Sequence, residues 1–171
     1  MDLEVLTRPV RPDDEPRFVR LWPRLSAETR YRRFHAPVHR LPMSSVRRLV
    51  VVDHDQREAV VAEIGGEVVG VARYDRLPHD PSTAELAVVV EDAWQGVGLG
   101  RQLLTELLRL AAGRGVRTLV ATVQADNERM LGILRRLLPS ARLESDAGVL
   151  TVTATVAGAE PVGPHRVIPT G

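Results

Sequence analysis

The chain has 171 residues, of which 44% are hydrophobic and 26% charged, within the range of one globular domain that buries its own core. Its formal net charge of +1 lacks the basic excess with which a general nucleic-acid binder neutralises phosphates, so no nucleic-acid partner is expected. With no cysteine in the chain, disulfides, a thiolate nucleophile and a cysteine-ligated zinc site are excluded.

All 23 residues in the Lys and Arg total are arginine, so the chain offers no lysine side chain of its own for modification. No apolar stretch approaches the roughly 20 residues that span a bilayer, and Met1-Asp2-Leu3-Glu4 lacks the basic-then-apolar pattern of a leader. The expectation is a cytoplasmic protein without a membrane partner.

In chain order, residues 3–10 alternate loosely and predict a first strand. Asp13 or Asp14 can cap a helix that carries Phe18, Leu21, Trp22 and Leu25 on one face. Ser26 can cap a second short helix through Phe34, and Ser44 or Ser45 a third through about Val50, with residues 35–42 between them.

The period then changes. Residues 59–64 and 68–74 are valine-rich runs on either side of Gly65-Gly66, a pair that accommodates the positive φ of a tight hairpin turn. After a polar loop at residues 78–82, the run 84–90 is nearly all apolar and reads as a strand buried on both faces. Leu103, Leu104, Leu107, Leu108 and Ala111 recur at helical spacing over residues 100–113. A strand at 117–123, a helix at 127–138 and a closing pair of strands around Leu143 and residues 148–156 complete one α/β domain. The Pro- and Gly-rich residues 158–171 read as a flexible tail.

The junction Gln95-Gly96-Val97-Gly98-Leu99-Gly100-Arg101 joins the buried strand to the amphipathic helix. Backbone N–H groups at a helix start lack intrahelical acceptors and the helix dipole is positive there. Glycines at 96, 98 and 100 remove Cβ atoms, so phosphate oxygens can reach those amides. The same glycines also suit a plain tight turn.

Glu85 is the one acidic residue within the run 84–90. It is either an exposed strand-end carboxylate or a buried one whose pKa rises into the range of a general base. Glu91 and Asp92 read as a solvated turn. The five histidines show no metal-ligand spacing, and no metal is expected. Residues 8–50 hold eleven arginines against four acidic residues, which is either a solvated helical face or a surface for an acidic partner.

The glycine-rich junction matches the Gln/Arg-x-x-Gly-x-Gly/Ala signature of the GNAT superfamily of N-acetyltransferases, and the surrounding elements follow in that family's order. Ala84-Glu85-Leu86-Ala87-Val88-Val89-Val90 before Trp94-Gln95-Gly96, and the earlier Leu25-Ser26-Ala27-Glu28-Thr29-Arg30-Tyr31-Arg32-Arg33-Phe34, resemble the GNAT domain of bacterial Pat-type protein lysine acetyltransferases. The resemblance covers roughly residues 5–156. It implies a mixed, mostly antiparallel sheet of about seven strands flanked by four to five helices over residues 1–157.

It further implies acetyl-CoA as co-substrate. The main chain of Val88, Val89 and Val90 would lie along the pantetheine arm, and Gln95, Gly96, Val97, Gly98, Leu99, Gly100 and Arg101 around the pyrophosphate. Asn127 matches a position that contacts CoA, and equally suits a helix N-cap. Glu85 matches the Pat-type catalytic glutamate. Leu134 stands where many family members carry a tyrosine acid, which leaves Tyr31, Tyr74 and His35 as alternative proton donors. The implied acceptor is a lysine on a protein such as an acyl-CoA synthetase. A small-molecule amine and a non-catalytic acetyl-CoA sensor are the alternatives, with the protein a monomer or a homodimer.

Overall fold

The computed structural model describes residues 3–156 and the backbone of residues 166–167. The first half contains β1 (Leu3–Glu4), β2 (Leu6–Pro9), α1 (Glu15–Leu21), α2 (Ala27–Phe34) and α3 (Met43–Val50). There follow β3 (Arg57–Ile64), β4 (Glu67–Leu77), β5 (Asp80–Val90) and α4 (Leu99–Gly113). The described chain then forms β6 (Thr118–Gln124), α5 (Glu128–Leu137), β7 (Arg142–Asp146), β8 (Val149–Thr155) and β9 (Arg166–Val167). Apart from β9, the expected tail lies outside the described residues. Among the described residues, no helix is long and apolar enough to cross a membrane.

Seven strands form one mixed sheet in the order β2-β3-β4-β5-β6-β8-β7, as expected. Only β5 and β6 run parallel; the other neighbours are antiparallel. Gly65 and Gly66 turn β3 into β4 with φ of 58° and 81°, the positive pair that a two-residue hairpin turn with the sheet's twist requires.

Three expected boundaries are corrected. Residues 3–10 form two strands, because β1 pairs with β9 whereas β2 pairs with β3. The expected loop at 78–82 shrinks to a two-residue turn, since Leu77 and Asp80 are already paired across the hairpin. Its polar residues belong to an exposed strand end, where periodicity carries little signal. Pro42 occupies the N-cap position of α3, and Ser44 and Ser45 lie inside the helix with no side-chain cap at its start.

Each sheet face buries its own cluster. Leu99, Leu103, Leu104 and Leu107 of α4 are at most 1% exposed against Ala72, Tyr74 and Leu86 of β4 and β5. Full burial of each leucine stabilises by roughly 1.5–3 kcal/mol. On the opposite face, Phe18, Leu21, Val46 and Val50 from α1 and α3 cover Ala59, Val61, Val68 and Val71.

Asp14 does not cap α1 through its own side chain. Its buried carboxylate instead accepts the Arg11 N–H at 2.8 Å and both terminal nitrogens of Arg8, at 2.8 and 2.7 Å, and so ties β2 to the helical layer. Burial pushes the Asp14 carboxyl up, but the Arg8 and Arg11 hydrogen bonds and the Arg8 charge outweigh it and hold the group below its ordinary value. A depressed carboxyl pKa adds stability that is present above the unfolded value, about 3.9, and is lost as pH falls through the folded value. Asp14→Asn is expected to cost about 3 kcal/mol in urea unfolding at neutral pH. The gap between variant and native protein should close in acid; a gap that is constant with pH would contradict the ion-pair account.

Candidate functional site

The site begins where the sheet opens. β5 and β6 pair in parallel register from Thr83 with Thr118 to Leu86 with Ala121, and no further. Beyond Leu86, β5 stays paired with β4 as far as Val90 with Gly70. Beyond Ala121, β6 stays paired with β8 as far as Gln124 with Val149. The facing edges of residues 87–90 and 122–124 therefore carry backbone donors and acceptors without sheet partners, a template for an extended ligand.

This divergence corrects the expectation that β5 is buried on both faces. Ala87, Val88, Val89 and Val90 are only half-buried because they wall a cavity of about 540 Å³, within the usual size of a ligand pocket. Glu85 is exposed rather than buried; it lies within the strand, not at its end, and lines the same cavity. Its carboxylate makes no hydrogen bond or ion pair within 4.0 Å among the described residues, so its lone pairs are free to accept a proton.

Val88, Val89, Val90, Gln95, Gly96, Gly98, Leu99, Gly100, Arg101 and Asn127 all line this cavity. Val97 does not; its side chain packs against the apolar cluster beneath α4. Gly96 and Gly98 have φ of 79° and 90°, values strained for a residue with a Cβ. Gln102 N donates to Gly98 O at 3.0 Å, which leaves the amides of Leu99, Gly100 and Arg101 as the unpaired first turn of a 15-residue helix. The Asn127 side chain accepts the Met130 N–H at 3.3 Å and so caps α5.

Several contacts at the mouth had no signature in the sequence. Asp92 accepts the Ser26 N–H at 2.8 Å and the Thr29 hydroxyl at 3.0 Å, clamping the start of α2 to the loop. Burial raises the Asp92 carboxyl, but these bonds prevail and lower it overall. Gln95 Nε2 donates to Val90 O at 2.9 Å and to the Thr29 hydroxyl at 3.2 Å. Gln95 Oε1 accepts from Arg129 at 3.3 Å, and a Cβ placed on Gly96 would lie 3.5 Å from Arg129 Nη2. Glu91 is corrected from the expected solvated turn: it is buried and paired with Arg24 at 3.1 Å.

The charge of the cavity is one-sided. Arg32, Arg33, Arg101, Arg129 and Arg136 line it, with Glu85 as the one carboxylate, so it suits a polyanion. Among the described residues no three His, Asp or Glu side chains gather as a metal site.

Of the three candidate proton donors, only His35 lines the cavity, with Nδ1 at 2.9 Å from Gln124 Nε2. Tyr74 is fully buried and donates to Asp55 O at 3.0 Å. Tyr31 is exposed away from the groove. Leu134 is buried in the cavity wall.

The splayed parallel pair and the glycine-rich helix start form one groove lined by backbone amides and arginines, and residues 15–138 match the family model "Acetyltransferase (GNAT) family". The chain belongs to the GNAT acetyltransferases, enzymes that transfer an acyl group and in general use acetyl-CoA.

Among curated relatives, the chain is 34% identical over 151 residues to the acetyltransferase Pat of Mycolicibacterium smegmatis, a match that covers 87% of this chain and 45% of that one. It is 32% identical over 130 residues to the acetyltransferase PA5475 of Pseudomonas aeruginosa, covering 74% and 69% respectively. The chain thus spans under half the length of Pat. Among solved structures, the GNAT domain of S. lividans PAT superposes with a TM-score of 0.81 at 30% identity, over 91% of this chain and 96% of that domain.

Proposed function

We propose that the chain is an acetyl-CoA-dependent N-acetyltransferase that modifies a lysine side chain on a protein, with Glu85 as general base. The observation that carries the reading is the splayed pair of β5 and β6, with Glu85 on its wall and the unpaired amides of α4 at its mouth. Acetyl-CoA, when bound, supplies the activated thioester. The unpaired edge of Val88, Val89 and Val90 would hold its pantetheine arm. The amides of Gly96 to Arg101, backed by the Arg129 guanidinium, would hold the pyrophosphate. Asn127 caps its helix and presents the same end of α5 to the cofactor.

A lysine amine has a pKa of about 10.4 and is almost wholly protonated near neutrality. Glu85, an unengaged carboxylate, takes that proton directly or through one water. His35, with Nδ1 at 2.9 Å from Gln124 Nε2, lines the same cavity and would donate a hydrogen bond through Nε2–H to the departing CoA thiolate, a modest base that can leave without taking a proton in the same step. The resemblance to Pat-type enzymes supports a protein lysine, for instance on an acyl-CoA synthetase, and a cytoplasmic setting.

The test incubates the chain with acetyl-CoA and a lysine-bearing acyl-CoA synthetase and follows thiol release together with the mass of the target. Acetylated lysine on the target, lost in Glu85→Gln, is the expected result. Cofactor binding without transfer to any lysine would overturn the acceptor assignment.

A further inference from the structure

Arg33 and Arg73 do not serve the glycine-rich end of the groove. In the pairing of β4 with β5, Asp75 faces Glu85 and Arg73 faces Ala87. Alternate residues of a strand share one face, so Arg73, Asp75, Glu85 and Ala87 lie on one side of the sheet. Val71 and Val89, further along that face, belong to the cluster beneath α1 and α3. Arg73 thus stands on the Glu85 side, at the foot of the helical layer.

Arg73 is only 5% exposed. Its Nη2 donates to Leu49 O at 2.6 Å, and no carboxylate lies within 4.0 Å of it among the described residues. Asp75, the nearest in sequence, is engaged by Arg57 at 2.8 Å. Arg33, from α2, lies 4.6 Å from the Phe34 ring centroid and likewise has no ion-pair partner among the described residues. Burial, with the Arg33 charge beside it, pulls the Arg73 side chain down to about 9. Burial also lowers Arg33, against the attraction of Asp75 and Glu85. Two guanidinium groups that line one recess with no carboxylate within 4.0 Å of either among the described residues are costly in a folded protein, even with Asp75 and Glu85 acting from further away.

Both groups open onto a second cavity, of about 40 Å³, walled by Trp22, Phe34, Leu41 and Leu49. Arg33, Phe34 and Val89 line the large cavity as well, so the recess adjoins the transfer groove. None of residues 95–101 lines it, which separates it from the proposed cofactor end. At about 40 Å³ the recess exceeds the roughly 10–15 Å³ of such space that one water needs, so it admits a carboxylate head while the rest of the ligand lies in the adjoining groove, and it is too small for a nucleotide. Arginine forks match carboxylates in geometry as well as charge, and the aromatic and aliphatic wall suits a short apolar stem.

We propose that Arg33 and Arg73 form a receptor for a carboxylate that the acceptor carries close to its reactive amine. The carboxylate belongs either to an acidic side chain beside the target lysine or to a free amino acid. The assignment rests on the groove being the acyl-transfer site with Glu85 on the acceptor side. It makes the enzyme selective for amines with a nearby negative charge, although the groove as a whole is lined with arginine.

The first readout needs no turnover. The chain has two tryptophans, so in a Trp94→Phe background Trp22 in the recess wall is the one emitter. Butyrate should change its fluorescence saturably and butyramide should not; Arg73→Met and Arg33→Met should each weaken butyrate binding at least about tenfold. Equal responses to acid and amide, or an undiminished response in both variants, would overturn the proposal. If Arg73→Met fails to fold by circular dichroism, Arg33→Met, at a half-buried position, decides.

The second readout compares acetylation of lysine peptides that carry Glu or Gln beside the lysine, and of free amino acids with open or amidated carboxyls. A preference for the acid in either series, collapsing in both variants, supports the proposal and identifies the source. Should only the free amino acids be substrates, the protein-acceptor reading fails and the carboxylate receptor stands. Should the carboxylate make no difference in either series, the receptor fails whatever the acceptor.

Discussion

Glu85→Gln is expected to lower kcat for acetyl transfer by about 10²–10⁴-fold, the usual contribution of a positioned general base, with acetyl-CoA affinity essentially unchanged. The substitution keeps the shape of the side chain and removes its capacity to take a proton, and Glu85 holds no ion pair in the described structure whose loss would disturb the fold. A pH series separates this from a structural role. The fraction of free lysine amine rises tenfold per pH unit below its pKa of about 10.4, so the deficit of the variant should narrow as pH rises. A deficit that stays constant across the series would mean that Glu85 does something other than accept the proton.

Gly98→Ala is expected to weaken acetyl-CoA binding about tenfold and to lower stability by about 1–3 kcal/mol, the cost of a Cβ held in a left-handed conformation. Gly98 sits at φ 90° as the N-cap of α4. The added Cβ pushes the backbone away from the conformation that aims the amides of Leu99, Gly100 and Arg101 at the cavity. Gly65→Ala is the matched control, since Gly65 also has positive φ, 58°, with nothing within 4 Å of an added Cβ. It should lose comparable stability and keep its affinity. Calorimetric titration with CoA, beside thermal unfolding of both variants, makes the comparison. Equal losses of affinity would mean that the effect is only general destabilisation.

Much of the fold was legible because its signals are local. The leucine spacing of α4, the Gly65-Gly66 turn and the glycine-rich junction each declare themselves within a dozen residues, and the helix, the turn and the strand-to-helix position of the junction stand as expected. The burial of β5 is not legible for a physical reason: an apolar run at the wall of a cavity has the composition of a run inside a core. Only the separation of β6 after Ala121 distinguishes the two, and that separation depends on residues some 35 positions away. Glu91 reads as a turn residue in the sequence because its partner, Arg24, lies just after α1, far back in the chain.

The arginines show the same limit more clearly. Arg129 carries no motif, yet it reaches Gln95 across the loop, 34 residues distant in sequence. Arg33 and Arg73 belong to different layers and line one recess only once α2 is seated on the sheet. The arginine excess of residues 8–50 was visible as a count, whereas the sequence could not divide it into structural and unpaired members. The structure does: Arg8 and Arg24 are committed to Asp14 and Glu91, and Arg33 has no carboxylate partner among the described residues.

Backbone amide exchange, followed residue by residue with and without CoA, tests most directly whether the opening between β5 and β6 is the cofactor seat. Slowed exchange is predicted at the amides of residues 87–90 that face β6 and at residues 96–101, with little change in the Gly65-Gly66 turn. Protection confined to other parts of the chain, with residues 87–90 and 96–101 unaffected, would contradict the account.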